Sequence, residues 1–153
     1  QPGWLPGSRV VVQLPEGIEW KVERRPEPKV GDVGRYLYEP GPAVIRAGGI
    51  PALAEQVAGW MLAPGIAYLA SDTLVETPLA TVFEIDQVLP HDERRLRAWV
   101  REARIGTLEI KLRGLDVDPA LLRRRLKLSG PNTATVILTP TRTGVRALVG
   151  HRL

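Results

Sequence analysis

Cysteine is absent, histidine occurs twice, and phenylalanine and methionine once each. Without thiols there is no disulfide, no thiolate nucleophile and no cysteine-based metal site. The histidines, His91 and His151, are far apart, and neither has a second ligand at chelating spacing. Serine is also scarce: Ser8, Ser71 and Ser129 all fall in expected loops, outside any G-x-S-x-G elbow. No G-x-G-x-x-G follows a strand and no G-x-x-x-x-G-K occurs, so the usual nucleotide cradles are missing. No apolar run approaches the roughly 18 residues of a membrane helix. The opening Gln1-Pro2-Gly3-Trp4 has neither the basic nor the apolar region of a signal peptide. A cytoplasmic protein is the expectation, with no membrane partner and with position 1 a cut inside a longer chain.

What is present is a 153-residue chain, 44% hydrophobic and 25% charged, enough for one ordinary domain or two small lobes. Its net charge of +4 is unevenly spread. Residues 1–89 hold 7 Lys+Arg against 11 Asp+Glu, whereas residues 90–153 hold 14 against 6. The second half therefore seeks an acidic partner, nucleic acid first. Most of the cations are arginine, whose planar fork matches phosphate better than a lysine point charge.

Along the chain, residues 9–14 and 18–23 read as a β-hairpin around Pro15-Glu16-Gly17. Residues 24–34 form a proline- and glycine-bearing linker, and Pro40, Pro42, Gly48 and Gly49 forbid a long helix over 35–49. Leu53, Val57, Trp60 and Met61 recur at helical spacing, predicting a helix over 51–62 with Pro51 at its first position. Residues 66–70 read as a short strand, 71–81 as a polar loop and 82–89 as a strand. Asp92 caps a helix running to about Arg104, stopped by Gly106. Leu108, Ile110 and Leu112 alternate with Glu109, Lys111 and Arg113, a half-buried strand. Asp118-Pro119 opens a helix to about Leu128, with Asp116 and Asp118 better read as capping groups than as an acid/base pair. Two strands, 133–139 and 145–150, close the chain. The fold expectation is α+β: an N-terminal hairpin and helical-linker lobe, then a compact β-α-β-α-β-β lobe. The expected divisions are 1–34, 35–81 and 82–153.

The positive chemical signal is a basic face. Arg94, Arg97, Arg101 and Arg104 sit three or four apart on one helix, Lys111 and Arg113 on a strand, and Arg123, Arg124, Arg125 and Lys127 on a second helix. If they share one surface, they track a phosphate backbone. The bland alternative is a solvated face paired with Glu93, Glu102 and Asp118. For base stacking only Tyr36, Tyr38 and Trp4 stand apart from the expected core, so phosphate and shape, rather than sequence, would be read.

Several stretches also carry a family resemblance: Arg35-Tyr36-Leu37-Tyr38-Glu39-Pro40, Ala43-Val44-Ile45-Arg46-Ala47-Gly48, Ile66-Ala67-Tyr68-Leu69, Val88-Leu89-Pro90 with Arg95-Leu96-Arg97, and the distinctive Leu108-Glu109-Ile110-Lys111, Arg113-Gly114, Val117-Asp118-Pro119 block. They resemble the C-terminal region of bacterial class I S-adenosylmethionine-dependent methyltransferases that end in a THUMP-like domain. The resemblance implies an upstream Rossmann-type domain that binds S-adenosylmethionine, with residues 9–23 at the tail of its sheet or just after it. It implies RNA, typically tRNA, as partner, and adds Lys111, Arg113 and Gly114 as RNA contacts. The chain departs from the family at Leu112, where a second basic residue is usual, and at His91, where an apolar or aromatic one is. No catalytic, cofactor or metal residue is assigned within these 153 residues. The competing expectations are a structural module that packs on the catalytic domain or forms a homo-oligomer, and, last, an enzyme in its own right.

Overall fold

The computed structural model describes residues 9–153, in two compact units that divide between Val82 and Phe83. Trp4 lies outside the described residues.

In the first unit, β1 (Arg9–Gln13) and β2 (Glu19–Glu23) form the expected antiparallel hairpin, Arg9 opposite Glu23 and Gln13 opposite Glu19. Gly17 turns the chain at φ +83°, a conformation that favours glycine. Strand alternation sends Val10 and Val12 into the core. Next come β3 (Tyr36–Pro40), α1 (Pro42–Arg46), α2 (Ile50–Gln56), β4 (Trp60–Met61) and β5 (Leu69–Ser71). β5 lies between β4 and β3, antiparallel to both. Tyr38, Val44, Leu53, Val57 and Leu69 pack with the hairpin valines into one cluster.

Three expectations for this unit change. The helix over 51–62 ends at Gln56, because Ala58 turns left-handed at φ 53° and Gly59 passes tightly under β5. A Cβ on Gly59 would sit 2.9 Å from the Ala70 carbonyl oxygen. Trp60 and Met61, counted on the helical stripe, belong to β4. Tyr36 and Tyr38, thought available for stacking, are buried in β3. The Tyr38 hydroxyl donates to the Thr73 carbonyl (2.6 Å) and accepts from the Val75 amide (2.8 Å), which pins the loop after β5. Burial pushes the Tyr38 phenol above its usual range, against the lowering effect of the Val75 amide. Ser71 is buried at the end of β5, its hydroxyl donating to the Val57 carbonyl at 2.7 Å. It is a structural group at the end of a strand rather than a loop residue.

The second unit follows the expected order: β6 (Ala80–Pro90, starting just before the division), α3 (Glu93–Glu102), β7 (Ile105–Leu112), α4 (Pro119–Leu126), β8 (Asn132–Thr141) and β9 (Gly144–Arg152). Its strands lie in the order β6-β9-β8-β7. β7 and β8 are parallel, and β9 is antiparallel to both β8 and β6. Both helices pack on one face of this sheet. Leu96 and Val100 of α3 and Leu122 and Leu126 of α4 join Leu108, Val136, Leu138, Ala147 and Val149 in a core that excludes water. Each such side chain, fully buried, contributes on the order of 1.5–3 kcal/mol of transfer free energy.

Both helix starts are capped as read. The Asp92 carboxylate accepts from the Arg94 amide (2.9 Å), and that of Asp118 from the Ala120 and Leu121 amides (3.0 and 3.3 Å). The end of α3 differs. Ala103 is its C-cap and Arg104 the left-handed residue (φ 55°), while Gly106, expected as the stop, lies inside β7 at a bulge. A Cβ on Gly106 would collide with the Gly130 carbonyl oxygen. Glycine is there for close backbone approach, not to break a helix.

Candidate nucleic-acid interface

The topology fixes where the helix ends fall. β6, β7 and β8 run in one direction, and α3 and α4 each return against it, so the two helices are parallel and side by side. Their C-termini meet at one end of the unit. There Asn132 donates its amide to the Arg104 carbonyl (3.1 Å) and its side-chain Nδ2 to that of Ala103 (2.8 Å), while the Ser129 amide reaches the Ile105 carbonyl (2.9 Å). These bonds stitch the two helix-to-strand turns together.

Between the helix ends lies a groove of about 500 Å³ lined by Arg97, Arg101, Leu126, Lys127 and Ser129. It holds three cations and no carboxylate. Arg101 and Lys127 are exposed and enter no ion pair among the described residues. Arg97 is anchored: its Nη2 pairs with Glu93 at 2.9 Å and its Nε donates to the Arg125 carbonyl at 3.2 Å. Lys127 takes the left-handed cap of α4 at φ 55° and lines the groove. Two helix C-termini aimed together present partial negative charge, so cations there are electrostatically favoured even before a ligand arrives.

The other expected contacts scatter. Arg104 and Arg124 are exposed near the groove's end of the unit without lining it, and Arg94 is exposed in the first turn of α3. Arg123 is half-buried, its Nε donating to the Leu108 carbonyl at 3.3 Å. Lys111 falls on the sheet face opposite the helices, since strand alternation gives Leu108, Ile110 and Leu112 to the helical face. Arg113 and Gly114 follow β7, about 25 Å from its start at roughly 3.3 Å per residue. Of the ten candidate residues, the groove brings together Arg97, Arg101 and Lys127. Leu126 and Ser129 were not foreseen as part of it: the segment after Lys127 reads only as a turn, and no sequence signal gives the left-handed φ of Lys127.

At the opposite end a smaller cleft of about 290 Å³ is lined by His91, Glu93, Asp116, Asp118, Arg125 and apolar side chains. It sits at the helix N-termini, where carboxylates are favoured. Asp118 is engaged with α4 amides, and Glu93 with Arg97 and, at 3.7 Å, Arg125. An adenosine-bearing cofactor needs a glycine-rich backbone cradle there and a free acid at a strand end. These residues do not supply one, so no methyl-transfer step is assigned to them. His151, on β9, is exposed between Asp86 (3.1 Å from Nδ1) and Glu84 (3.6 Å from Nε2). The carboxylates address opposite ring nitrogens, so the three side chains do not converge on one point as metal ligands would. On the far sheet face, Arg152 bonds Glu109 at 2.7 Å and holds its carboxyl below the ordinary carboxylate range, with Thr135 assisting.

The β-α-β-α-β-β order of the second unit defines the class of domain. Residues 80–152 match the family described as THUMP domain-like. Over 110 residues, 72% of its length, the chain is 39% identical to proteins named uncharacterized S-adenosylmethionine-dependent methyltransferases in two strains of Mycobacterium tuberculosis, CDC 1551 / Oshkosh and H37Rv. The match spans only 30% of the length of those curated relatives. A crystal structure titled "putative methyltransferase" from Porphyromonas gingivalis W83 shares the fold, with a TM-score of 0.71 and 20% identity over 88% of this chain and 35% of that one. Residues 80–152 thus match the THUMP domain-like family, and the chain aligns with a region of proteins named as S-adenosylmethionine-dependent methyltransferases. Among the described residues no helix is long and apolar enough to cross a membrane.

Proposed function

We propose that the second unit docks RNA for an S-adenosylmethionine-dependent methyltransferase, gripping phosphates in the groove between the C-terminal ends of α3 and α4. The observation that carries this is the convergence of Arg97, Arg101 and Lys127 on one groove without a lining carboxylate. The family match and the names of the relatives support the setting. In this reading residues 82–153 are the docking domain, 35–81 a connector and 1–34 the tail of a methyltransferase domain that binds the cofactor. This reading places the protein in the cytoplasm, where tRNA is found. The contact is with backbone phosphate, because no exposed aromatic lines the groove to stack a base.

Fluorescence anisotropy with a labelled tRNA, titrated with salt, tests the reading. Binding should weaken with rising salt, and Arg101→Ala combined with Lys127→Ala should flatten the log–log slope by about 1–2, at roughly 0.7–0.9 per phosphate contact. No RNA binding at low salt, or a double variant with unchanged affinity and slope, overturns it. A second reading, a purely structural module, draws on the anchoring of Arg97 to the Arg125 carbonyl. It predicts that Arg97→Ala loses stability while RNA plays no part.

A further inference from the structure

The second unit ends on an edge strand whose outward backbone groups are mostly unpaired. β7 is the edge in the order β6-β9-β8-β7, and it is eight residues long. The Arg113 amide donates to Leu138 of β8, so the odd-numbered residues Thr107, Glu109, Lys111 and Arg113 turn their backbone groups inward. Leu108, Ile110 and Leu112 then turn theirs outward. The Arg123 side chain, donating to the Leu108 carbonyl, confirms the direction and guards that one oxygen. No other hydrogen bond of the described residues reaches the outward amides and carbonyls of Leu108, Ile110 and Leu112. Monomeric sheets protect such an edge with proline, a bulge or charge. β7 has no proline, its bulge lies only at its start, between Ile105 and Thr107, and its two charged residues, Glu109 and Lys111, are of opposite sign.

The side chains of this edge are self-complementary. The segment Leu108-Glu109-Ile110-Lys111-Leu112 reads apolar, acid, apolar, base, apolar. We propose that β7 pairs antiparallel with β7 of a second copy of this chain, about a two-fold axis through Ile110. In that register Ile110 faces Ile110 of the second copy, Leu108 faces Leu112, and Glu109 faces Lys111 twice. The three outward residues become hydrogen-bonded pairs, six backbone bonds in all at two per pair, roughly. The Glu109–Lys111 positions become non-hydrogen-bonded pairs, where side chains stand closest and opposite charges stabilise. A parallel pairing would set Glu109 against Glu109 and Lys111 against Lys111, so the charge pattern selects the two-fold arrangement. Arg152, bonded to Glu109, keeps that carboxylate ionised for its cross-strand partner. The proposal is independent of the RNA reading, whose groove lies between the helices rather than along this edge.

Sedimentation velocity on the whole chain tests the pairing, with light scattering as a second measure of mass. The wild-type chain should double its 16.8 kDa mass at high micromolar concentration. Lys111→Glu places like charges opposite Glu109, and Glu109→Lys places them opposite Lys111, so each variant alone should be monomeric. Mixed in equal amounts, the two variants restore both opposite-charge pairs and should form a heterodimer. Circular dichroism checks that each is folded. Where either is not, Ile110→Pro takes its place: it removes one outward amide, is tolerated on an edge strand, and should abolish dimerisation. Hydrogen exchange gives a readout on the wild type alone, with the Ile110 and Leu112 amides protected in the dimer. A wild-type chain that stays monomeric overturns the proposal, as do folded single variants that still dimerise, folded variants that fail to reassociate when mixed, or unprotected Ile110 and Leu112 amides.

Discussion

Glu109 and Tyr38 show how single polar groups hold their surroundings. The bond from Arg152 lowers the Glu109 carboxyl below its ordinary 4.5. The ionised form is favoured in the folded state, so its stabilisation is complete above that ordinary value and disappears as pH falls through the lower folded one. Glu109→Gln should cost about 0.2–1 kcal/mol at pH 7, the range of partly exposed pairs, and nothing at pH 2; urea melts at the two pH values check this. Tyr38→Phe removes one donor and one acceptor, leaving the Thr73 carbonyl and Val75 amide short of a partner. The expected loss is about 1–3 kcal/mol in the same assay. Neither network was legible in the sequence. The Tyr38 hydroxyl reaches across to residues 73 and 75, and nothing local to Tyr-Leu-Tyr announces such a long-range bond.

Elements were legible where local chemistry sets them. Asp118-Pro119 supplies a cap and a pre-set φ, and α4 starts where those two residues place it. Asp118→Ala should cost about 1 kcal/mol of stability, measured by thermal melting, as buried-helix caps commonly do. The β1–β2 hairpin was legible for the same reason, since Gly17 supplies its turn. β3, β4 and β5 were poorly legible because they are short and buried, without the period-two alternation of a half-exposed strand. The shortened α2 illustrates the converse: Leu53, Val57 and Met61 share a core, yet the last of them reaches it from a strand. Gly106 punctuates the chain, but as a bulge residue of β7 rather than as the stop of α3. Gly106→Ala should destabilise the chain by at least about 2 kcal/mol, as forced overpacking does, because the Gly130 backbone has no side-chain end to move aside.

For the molecule as a whole, position matters more than charge count. The excess of cations after residue 90 was plain from composition, but the sheet divides them between two faces and two ends. Two double variants separate the effects, each lowering the net charge by the same amount. Lys111→Ala with Arg113→Ala should leave RNA affinity within about twofold of wild type, whereas Arg101→Ala with Lys127→Ala should weaken it about tenfold or more at low salt. Anisotropy with one labelled tRNA distinguishes them. Equal losses would mean that bulk charge alone is at work.

The parallel course of α3 and α4 has one more effect. Asp92, Glu93, Asp116 and Asp118 at their starts outnumber Arg94 and Arg95, and Arg101, Arg104 and Lys127 at their ends outnumber Glu102, so the second unit has an acidic pole and a basic pole. A polyanion nearby exerts a torque on such a body, drawing one pole in and pushing the other away. At physiological salt this aligning force acts within about 8 Å, so the unit would arrive basic pole first and begin contact already turned toward its groove.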